Sequence, residues 1–454
     1  MIAMRLSEIN QVLQGHLIGA DPEINAVSID TRTLQAGDLY IAIKGAHFDG
    51  NDFVERAQTA GAAAVILQKD CTTSLPKILL GDTQLALGRL AAAVRRKANI
   101  ALVAITGSNG KTTVKEMLAA ILSVHGKVLF TQGNLNNAIG VPLTLLRLHA
   151  QHQFAVVEMG ANHPGEIRYT SQLANPDIAV MNNVGAAHIA GFGDIEGVAQ
   201  AKAELLEALP ENGIAILNAD DRFFDFWCQQ AGNRTVVAFG LNARAEVTAR
   251  AIQQHTGDVQ FMTAFELFNR QGSITIQLQL AGVHNVVNAL AASAAAQPLG
   301  IGLAQIKQGL EAMQPVAGRL QILSGELGNR IINDSYNANP SSLKAALDVL
   351  AEYDTENWVV LGAFGELGDN SREMHEDMAE LIKSKAVARL LAVGPETEFS
   401  VRKFGAGATF FATQAELIAT LQRELQGHET VLIKGSRAQH MENVVQALLG
   451  KPGE

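Results

Sequence analysis

Apolar runs alternate with amphipathic stretches through the middle of the chain. The apolar run at residues 100–105 is typical of a buried strand, and a helical period follows at 112–125. The exchange then continues with strands at 127–130, 154–159, 178–182 and 214–218 and with helices at 141–148, 166–174 and 197–209. Strands that alternate with helices in this way predict βαβ units and a parallel sheet.

The flanking regions have different patterns. Residues 1–84 contain short predicted strands at 26–30, 39–43 and 63–67 around a helical pattern at 53–60. The segment 244–280 is rich in strand patterns, which predict an antiparallel edge, and helices are predicted at 286–296 and 303–313. Pro315 and Gly318 mark a linker, after which strands and helices alternate again.

These patterns predict an α/β protein of three domains. Residues 1–84 form a small α/β N-terminal domain, and residues 85–314 form a central P-loop-type domain with a mainly parallel sheet. Residues 315–454 form a C-terminal, Rossmann-like open-sheet domain.

Composition and charge exclude several classes of protein. The formal net charge of −10 over 454 residues argues against general nucleic-acid binding, which needs a basic surface. Cys71 and Cys228 are the only cysteines, so we expect no disulfide framework and a cytoplasmic location. The most apolar long stretch, 281–304, is interrupted by polar residues and predicts a buried helix, so we expect no membrane insertion.

A glycine-rich segment between the strand at 100–105 and the following helix predicts a phosphate-binding loop. Glycines let the backbone approach an anion, helix-start amides face it, and a lysine adds charge. Where the longer form of this motif has a leading glycine, the chain has Ile105, so the loop is a shortened variant; the alternative is a turn without a special role. The predicted phosphate-binding residues are Gly107, Ser108, Asn109, Gly110, Lys111, Thr112 and Thr113.

Three polar residues stand at or after the carboxyl ends of the next predicted strands, where ligands gather in parallel sheets. Glu158 offers the hard oxygen that magnesium prefers, although a solvated strand-end carboxylate is the alternative. His188 is less typical of a magnesium ligand, and a lone histidine is more often a satisfied polar contact than a ligand. From the residues alone, Lys202 is expected to be an exposed lysine on a helix.

Asn285 and Asn288 share one face of a predicted helix because they are three positions apart. Their amides match the donor and acceptor edge of adenine, but a helix-capping Asn285 with one buried polar contact explains them equally well. Arg319 lies in the predicted linker and reaches phosphates only when the flanking domains close together.

A polar cluster runs from Asn333 to Pro340 between a predicted strand and a helix. It contains Asp334, Tyr336, Asn337 and Asn339, and so many hydrogen-bonding groups in one loop favour a binding site over a capped turn. The segments 362–368 and 434–437 also follow predicted strands and are candidate substrate loops.

In order and spacing, these residues resemble the Mur ligase family of peptidoglycan precursor synthesis. The resemblance rests on the shortened loop and, across nearly the whole chain, on Glu158, His188, Lys202, Asn285, Asn288 and Arg319. The segments Gly133–Asn137 and Asp334–Pro340, with the opening segment 30–50, resemble the member that adds D-alanyl-D-alanine. The Asp-Asn-Pro-Arg motif of the diaminopimelate-adding member is not found in the sequence.

The resemblance implies an ATP-dependent amide ligase that acts through an acyl phosphate, with UDP-N-acetylmuramoyl-tripeptide and D-alanyl-D-alanine as substrates. It implies two Mg²⁺ ions, a first held by Thr112 and Glu158 and a second by His188 and a carbamylated Lys202. Catalytic roles fall on Lys111, His188, Lys202 and Arg319, adenine contacts on Asn285 and Asn288, and a ribose contact on Asp334. Substrate contacts fall on Thr31, Arg32 and Lys44 at the UDP end, and on Asn134, Asn136, Asn137, Tyr336, Asn337 and Asn339.

Three alternatives share parts of this pattern. Folylpolyglutamate synthase resembles the same core, but it generally lacks a unit like residues 1–84 and has a different residue after the loop lysine. A P-loop kinase or switch NTPase explains Lys111 but leaves the Asn285–Asn288 pair and the Asp334 loop without a role. A nucleotide-regulated binding protein without chemistry is the third. We expect the protein to be a monomer.

Overall fold

The structure is a computed structural model, and it describes residues 1–45, 47–185, 189–257, 261–365 and 367–449. Its centre is a six-stranded, fully parallel sheet in the order β13-β12-β11-β8-β10-β9. These strands are β8 Ala101–Thr106, β9 Val128–Phe130, β10 Phe154–Glu158, β11 Ile178–Met181, β12 Ile214–Asn218 and β13 Thr235–Phe239. The helices between and beside them are α3 Thr83–Lys97, α4 Lys111–Ser123, α5 Gly140–Leu145, α6 Glu166–Ala174, α7 Ile189–Phe192, α8 Ile195–Glu207 and α9 Phe224–Ala231.

Strand β8 lies between β10 and β11 and is buried along almost its whole length. A strand covered on both faces reads as a continuous apolar run, which is why Ala101–Thr106 shows no alternation. Because the strands are parallel, the residues at their carboxyl ends meet at one edge of the sheet. The phosphate loop, Glu158 and the segment after β11 therefore share that edge.

The strands after residue 247 form a sheet of their own. β14 Thr248–Thr256, β15 Phe261–Asn269 and β16 Gly272–Leu278 are antiparallel neighbours in that order. The predicted antiparallel strands are confirmed, but they form a separate sheet: a single parallel bridge between Phe239 and Val247 links this segment to the last central strand. Two helices, α10 Val283–Ala296 and α11 Leu303–Ala312, pack against α4 and close this side of the core.

The N-terminal domain contains a five-stranded sheet in the order β2-β7-β6-β5-β4, antiparallel at β2 and parallel elsewhere. β1 and β3 form a separate antiparallel pair. Helix α3 packs on α1 on one side and on α5 and α6 on the other, so one apolar core runs from this domain into the central one. The elements are β1 Met4–Arg5, α1 Leu6–Leu13, β2 His16–Ile18, β3 Glu23–Ile24, β4 Val27–Ser28, β5 Leu39–Ile41, α2 Val54–Thr59, β6 Ala64–Leu67 and β7 Lys77–Leu79.

The C-terminal domain contains a six-stranded sheet in the order β17-β18-β22-β19-β20-β21, antiparallel only between β17 and β18. Helices cover both faces and enclose two apolar cores. The strands are β17 Gln321–Ser324, β18 Arg330–Asp334, β19 Asn357–Gly362, β20 Arg389–Val393, β21 Ala408–Phe411 and β22 Thr430–Lys434. The helices are α12 Pro340–Leu350, α13 Ser371–Ser384, α14 Thr397–Phe404, α15 Gln414–Glu424 and α16 Glu442–Leu448.

The predicted fold class is confirmed: three α/β domains, a parallel central sheet and an open C-terminal sheet. Helix α6 and strand β12 have their predicted bounds, and most other predicted elements differ by one to three residues at an end. No helix among the described residues is long and apolar enough to cross a membrane.

Candidate active site

The phosphate loop connects β8 to α4 in the predicted strand–loop–helix arrangement. Gly110 has φ +77°, and an added Cβ would lie 2.3 Å from Oδ1 of Asn288 and 2.6 Å from Nδ2 of Asn182. Only glycine fits a left-handed position with neighbours that close. The loop is also held from β11, because the Ser108 amide donates to the Asn183 carbonyl at 2.9 Å.

The Lys111 ammonium folds back over the loop. Its Nζ donates to the carbonyls of Gly107 at 2.7 Å and Ser108 at 3.3 Å. Removal from water lowers the pKa of Lys111, attraction by Glu158 opposes that shift, and Arg319 adds to it. An anion at the loop would add a counter-charge to this group, which suits a phosphate site.

Thr112 and Glu158 meet at the start of α4, as the predicted metal pair requires. The Thr112 hydroxyl donates to Oε2 of Glu158 at 2.9 Å, and Nδ2 of Asn136 donates to Oε1 at 2.8 Å. The Glu158 amide donates to Oγ1 of Thr131 at 2.9 Å. Asn136, predicted to contact the substrate, therefore also orients this buried carboxylate.

Asn285 and Asn288 are buried on α10 beside the loop. Nδ2 of Asn288 donates to Oδ1 of Asn285 at 3.1 Å, and Oδ1 of Asn288 accepts from Nδ2 of Asn182 at 3.0 Å. Nδ2 of Asn285 donates to the Ala281 carbonyl at 2.7 Å, and Gly282 stands at the helix cap. The structure thus excludes a capping role for Asn285 and places the pair next to Gly110.

Lys202 lies on the inner face of α8 and is only 5% exposed, so the expectation of an exposed helical lysine is wrong. Burial lowers its pKa well below the usual range; Lys111 adds to the shift, and Asp221 opposes it. A lysine in this environment favours its neutral amine. His188, the other predicted ligand of a second metal, lies outside the described residues.

The C-terminal domain contacts the phosphate loop directly. Nη2 of Arg319 donates to the Thr112 hydroxyl at 2.9 Å. Nδ2 of Asn339 donates to Oδ1 of Asn109 at 2.7 Å, and Nδ2 of Asn109 donates to the Ser341 hydroxyl at 2.8 Å. The predicted linker arginine and one predicted loop residue therefore reach the loop across the domain boundary.

Asp334 is buried and forms an ion pair with Lys434, its neighbour at the parallel ends of β18 and β22. Its Oδ1 accepts from the Leu320 amide at 3.3 Å, and Nζ of Lys434 also donates to the Asn337 carbonyl at 3.1 Å. Burial raises the pKa of Asp334, and Lys434 and Arg319 oppose that shift. This pair ties the linker to the loop after β18, and its oxygens already have partners in this arrangement.

The remaining residues of the loop after β18 have different surroundings. Tyr336 is partly exposed, with the guanidinium carbon of Arg319 4.3 Å from its ring centre. Asn337 is exposed, and Asn339 caps α12 by accepting from the Ser342 amide at 2.9 Å. In the neighbouring candidate loops, the Ser436 hydroxyl donates to the Ala363 carbonyl at 2.7 Å, whereas Glu366 lies outside the described residues.

The predicted UDP-end residues lie in the N-terminal domain, away from the residues described so far. Thr31 and Arg32 line a cavity of about 530 Å³ together with residues of α2. Arg32 forms an exposed ion pair with Asp30 at 2.6 Å. Lys44 is exposed, and its backbone forms an isolated antiparallel β-bridge with that of Asp49.

Besides Asn136, two predicted substrate residues lie in the loop before α5. Asn134 is exposed. Asn137 accepts from the amides of Ile139 and Gly140 at 3.1 and 2.8 Å, so it fixes the start of that helix in addition to any contact with substrate.

Three residues of the site were missed by sequence reasoning: Asn182, Asn183 and Thr131. Asn182 is fully buried and donates to the Asn109 carbonyl at 2.9 Å, while Oδ1 of Asn183 accepts from the Asn109 amide at 2.8 Å. Two consecutive asparagines at the end of an apolar strand were the available signal. Lys434 lies in the predicted candidate loop 434–437, but its pairing with Asp334 gave no signal because the two residues are 100 positions apart in sequence.

Comparison with family models identifies the class of protein. The model described as Mur ligase middle domain matches residues 105–296, and the one described as Mur ligase, glutamate ligase domain matches 318–437. The model described as Mur ligase family, catalytic domain matches residues 23–125. The chain belongs to the Mur ligase family, which confirms the predicted resemblance.

Individual relatives show which members of the family the chain is similar to. The chain is 43% identical over 451 residues to the UDP-N-acetylmuramoyl-tripeptide–D-alanyl-D-alanine ligase of Escherichia coli (strain K12), with 99% of both chains covered. A crystal structure of MurF from Acinetobacter baumannii matches with a TM-score of 0.93 and 36% identity over 99% of both chains. MurF ligase from Thermotoga maritima in complex with ADP matches with a TM-score of 0.83 and 27% identity, covering 93% of this chain and 96% of that one.

Proposed function

We propose that this protein is an ATP-dependent ligase that joins D-alanyl-D-alanine to UDP-N-acetylmuramoyl-tripeptide, giving the pentapeptide, ADP and phosphate. The main support is a pair of hydrogen bonds from the C-terminal domain to the phosphate loop. Arg319 donates to Thr112, and Asn339 donates to Asn109. A nucleotide hydrolase does not require a second open sheet at its phosphate loop. A ligase does, because its amine must meet the activated carboxyl group. The printed names of full-length relatives support the same reaction.

The chemistry begins with a carboxylate, which is a poor electrophile because its charge is delocalised. Transfer of the γ-phosphoryl group to the tripeptide carboxylate gives an acyl phosphate, the dipeptide amine attacks the carbonyl, and phosphate leaves from the tetrahedral intermediate. The protein supplies position and charge. Lys111 and the amides at the start of α4 hold the phosphates, and Arg319 stabilises charge on the transferred group. Asn285 and Asn288 face the base, and Asp334 supports the ribose end.

The residues at the loop fit a magnesium ion. Thr112 and Glu158 supply oxygen atoms that already meet at 2.9 Å. Nε of Arg319, buried without a hydrogen-bond partner among the described residues, is a donor for a phosphate oxygen beside that ion. No group of three or more His, Cys, Asp or Glu side chains within the described ranges could hold a metal by itself. Magnesium commonly uses one or two carboxylates with substrate phosphates. Held by Thr112 and Glu158, it would neutralise phosphate charge.

Lys202 is the proposed carbamate. Burial and Lys111 favour its neutral amine, which is the form that adds carbon dioxide, and a carbamate offers anionic oxygens where an ammonium would repel a cation. With His188 it would hold a second magnesium near the substrate carboxylate. Replacement by alanine is expected to abolish most activity, and short carboxylates are expected to restore part of it. Undiminished activity in the variant would contradict the carbamate.

The proposed function is tested by phosphate release from ATP. Release is measured with UDP-N-acetylmuramoyl-tripeptide and D-alanyl-D-alanine together, with each alone and with neither. We expect release to depend on both substrates and the mass of the pentapeptide product to appear. Release with neither substrate would indicate a plain NTPase, and dependence on a folate substrate would indicate a folylpolyglutamate synthase.

The proposed roles follow the three domains. Residues 1–84 bind the UDP end through Thr31, Arg32 and Lys44, residues 85–314 bind ATP, and residues 315–454 bring the amine. Asn134, Asn136 and Asn137 would contact the tripeptide, and Tyr336, Asn337 and Asn339 would contact the dipeptide. We propose a cytoplasmic monomer. Light scattering on the purified protein tests the monomer, and fractionation of cells tests the location.

A further inference from the structure

Two arginines approach the same aromatic ring from different parts of the C-terminal domain. The guanidinium carbon of Arg319 lies 4.3 Å from the centre of the Tyr336 ring, and that of Arg437 lies 5.7 Å from it. Arg319 also donates to Thr112 and so contacts the phosphate loop. Arg437 begins the short turn after β22. Within the described residues, its side chain donates to Glu442 and makes no hydrogen bond to the phosphate loop.

The third cationic side chain of this region, Lys434, already has hydrogen-bond partners. Lys434 is fully buried, with its ammonium group shared between Asp334 and the Asn337 carbonyl. A buried, paired ammonium has no donor to spare for a ligand without breaking the ion pair, which is costly. Among the three cations, this leaves Arg437 as the one open to solvent, with a side chain 53% exposed.

Glu442 fixes the direction of Arg437. Nη1 of Arg437 donates to Oε1 of Glu442 at 2.9 Å, and Glu442 begins helix α16. A guanidinium has five N–H donors, so one carboxylate on one nitrogen leaves donors for a second carboxylate. Orientation by Glu442 lowers the entropy cost of using those donors, because the long side chain is already held.

The length of the second substrate matches this spacing. The ring distances place the two guanidinium groups within about 10 Å of each other, and a two-residue segment spans about 7 Å when extended. A dipeptide with its amine at the acyl phosphate, beside Arg319 and Thr112, therefore has its carboxylate within reach of Arg437. The partly exposed Tyr336 ring is next to both guanidinium groups and offers an apolar surface to the alanine methyl groups.

The geometry points to Arg437 as the residue that binds the terminal carboxylate of the incoming dipeptide and sets the preference for a free acid. This inference rests on the proposed function and deepens it. Guanidinium and carboxylate form charge-assisted, often bidentate hydrogen bonds, so a dipeptide with a blocked carboxyl terminus loses the contact.

The test compares D-alanyl-D-alanine with D-alanyl-D-alanine amide in wild type, Arg437→Gln and Arg437→Lys. In wild type, kcat/KM for the acid is expected to exceed that for the amide by roughly 10- to 100-fold. This ratio corresponds to the contribution of one charge-assisted hydrogen bond to binding. In Arg437→Gln the ratio should fall close to one through a raised KM for the acid. The KM values for ATP and UDP-N-acetylmuramoyl-tripeptide should change by less than about twofold, and Arg437→Lys should keep part of the ratio.

The matched control is Arg402→Gln. Arg402 pairs with Glu398 on α14 in the same domain and is similarly exposed. It should leave the ratio unchanged. If Arg437→Gln keeps the wild-type preference for the acid, or loses activity equally with both dipeptides, Arg437 is not the carboxylate site. If wild type turns over neither dipeptide, the proposed function fails and this inference fails with it.

Discussion

The guanidinium of Arg319 donates to the hydroxyl of Thr112 at 2.9 Å, although 207 residues separate them. One residue lies in the linker before β17, and the other is in the first turn of α4. The hydroxyl also donates to Glu158, so linker, phosphate loop and proposed metal carboxylate form one chain of contacts. The position of the C-terminal domain is thereby tied to the site of phosphoryl transfer.

Replacement of Arg319 by alanine is expected to lower kcat by about 100-fold or more, since one lost donor to a developing charge has that effect. The KM for ATP should change far less, because Lys111 and the loop amides still hold the nucleotide. Steady-state kinetics with all three substrates measure this. Arg402→Ala, a change at an exposed arginine of α14, serves as the control and should leave kcat unaltered. Equal activity in the two variants would remove Arg319 from the mechanism.

Gly110→Ala is expected to abolish ATP binding. The new Cβ would stand 2.3 Å from Asn288 and 2.6 Å from Asn182, in addition to the strain of a residue at φ +77°. Gly165→Ala separates these effects, because Gly165 has φ +89° but no atom within 4 Å of an added Cβ. The control should cost only about 1–2 kcal/mol of stability and bind ATP normally. Calorimetric titration with ATP distinguishes the variants, and unimpaired binding by Gly110→Ala contradicts the crowded loop.

Much of the site could be predicted from the positions at which the parallel strands end. The phosphate loop and Glu158 could be placed in advance because parallel strands bring their carboxyl ends to one edge, and a strand–glycine–helix pattern is local in sequence. Lys202 could not, since its charged neighbours Glu204 and Glu207 suggest a solvated helix face although α8 turns that lysine inward. The Asp334–Lys434 pair could not be predicted either, because its prediction requires the strand order in which β22 lies beside β18. Local pattern predicts elements, but strand order and helix rotation decide which polar groups meet.

The buried pair of Asp334 and Lys434 predicts a strong coupling. Asp334→Asn leaves a buried ammonium without its counter-charge and should destabilise the protein by about 3–5 kcal/mol. The double variant Asp334→Asn with Lys434→Met should recover most of that loss, because the stranded charge is gone. Urea unfolding followed by circular dichroism gives the free energies.

The control for this pair is Glu380→Gln, which breaks an exposed contact with Lys403 and should cost less than about 1 kcal/mol. Additive losses in the double variant at Asp334 and Lys434 would show that the two residues are not coupled. Activity would stay low even in the stable double variant, since the loop after β18 loses its tie to Lys434.

Lys202 predicts a pH dependence of stability with a defined sign. Its pKa in the folded protein is lowered well below 10.5, mainly by burial, whereas the unfolded chain has the ordinary value. Between these two pKa values the unfolded state binds the extra proton, so the free energy of unfolding rises with pH. Lys202→Met removes this contribution. In buffer free of carbon dioxide, the stability of wild type relative to Lys202→Met should therefore improve as pH rises from the lowered pKa of the folded protein towards the ordinary lysine value of 10.5.

The stability of the same two proteins can also be compared in the presence of carbon dioxide. Bicarbonate at neutral pH should raise the melting temperature of wild type and leave Lys202→Met unchanged, because only the lysine can form the carbamate. Lys307→Met is the control, since Lys307 is a half-exposed lysine paired with Glu311 and should show neither effect. If the wild-type and Lys202→Met stability curves stay parallel over the whole pH range, Lys202 keeps its proton in the folded protein and carbamylation loses its physical basis.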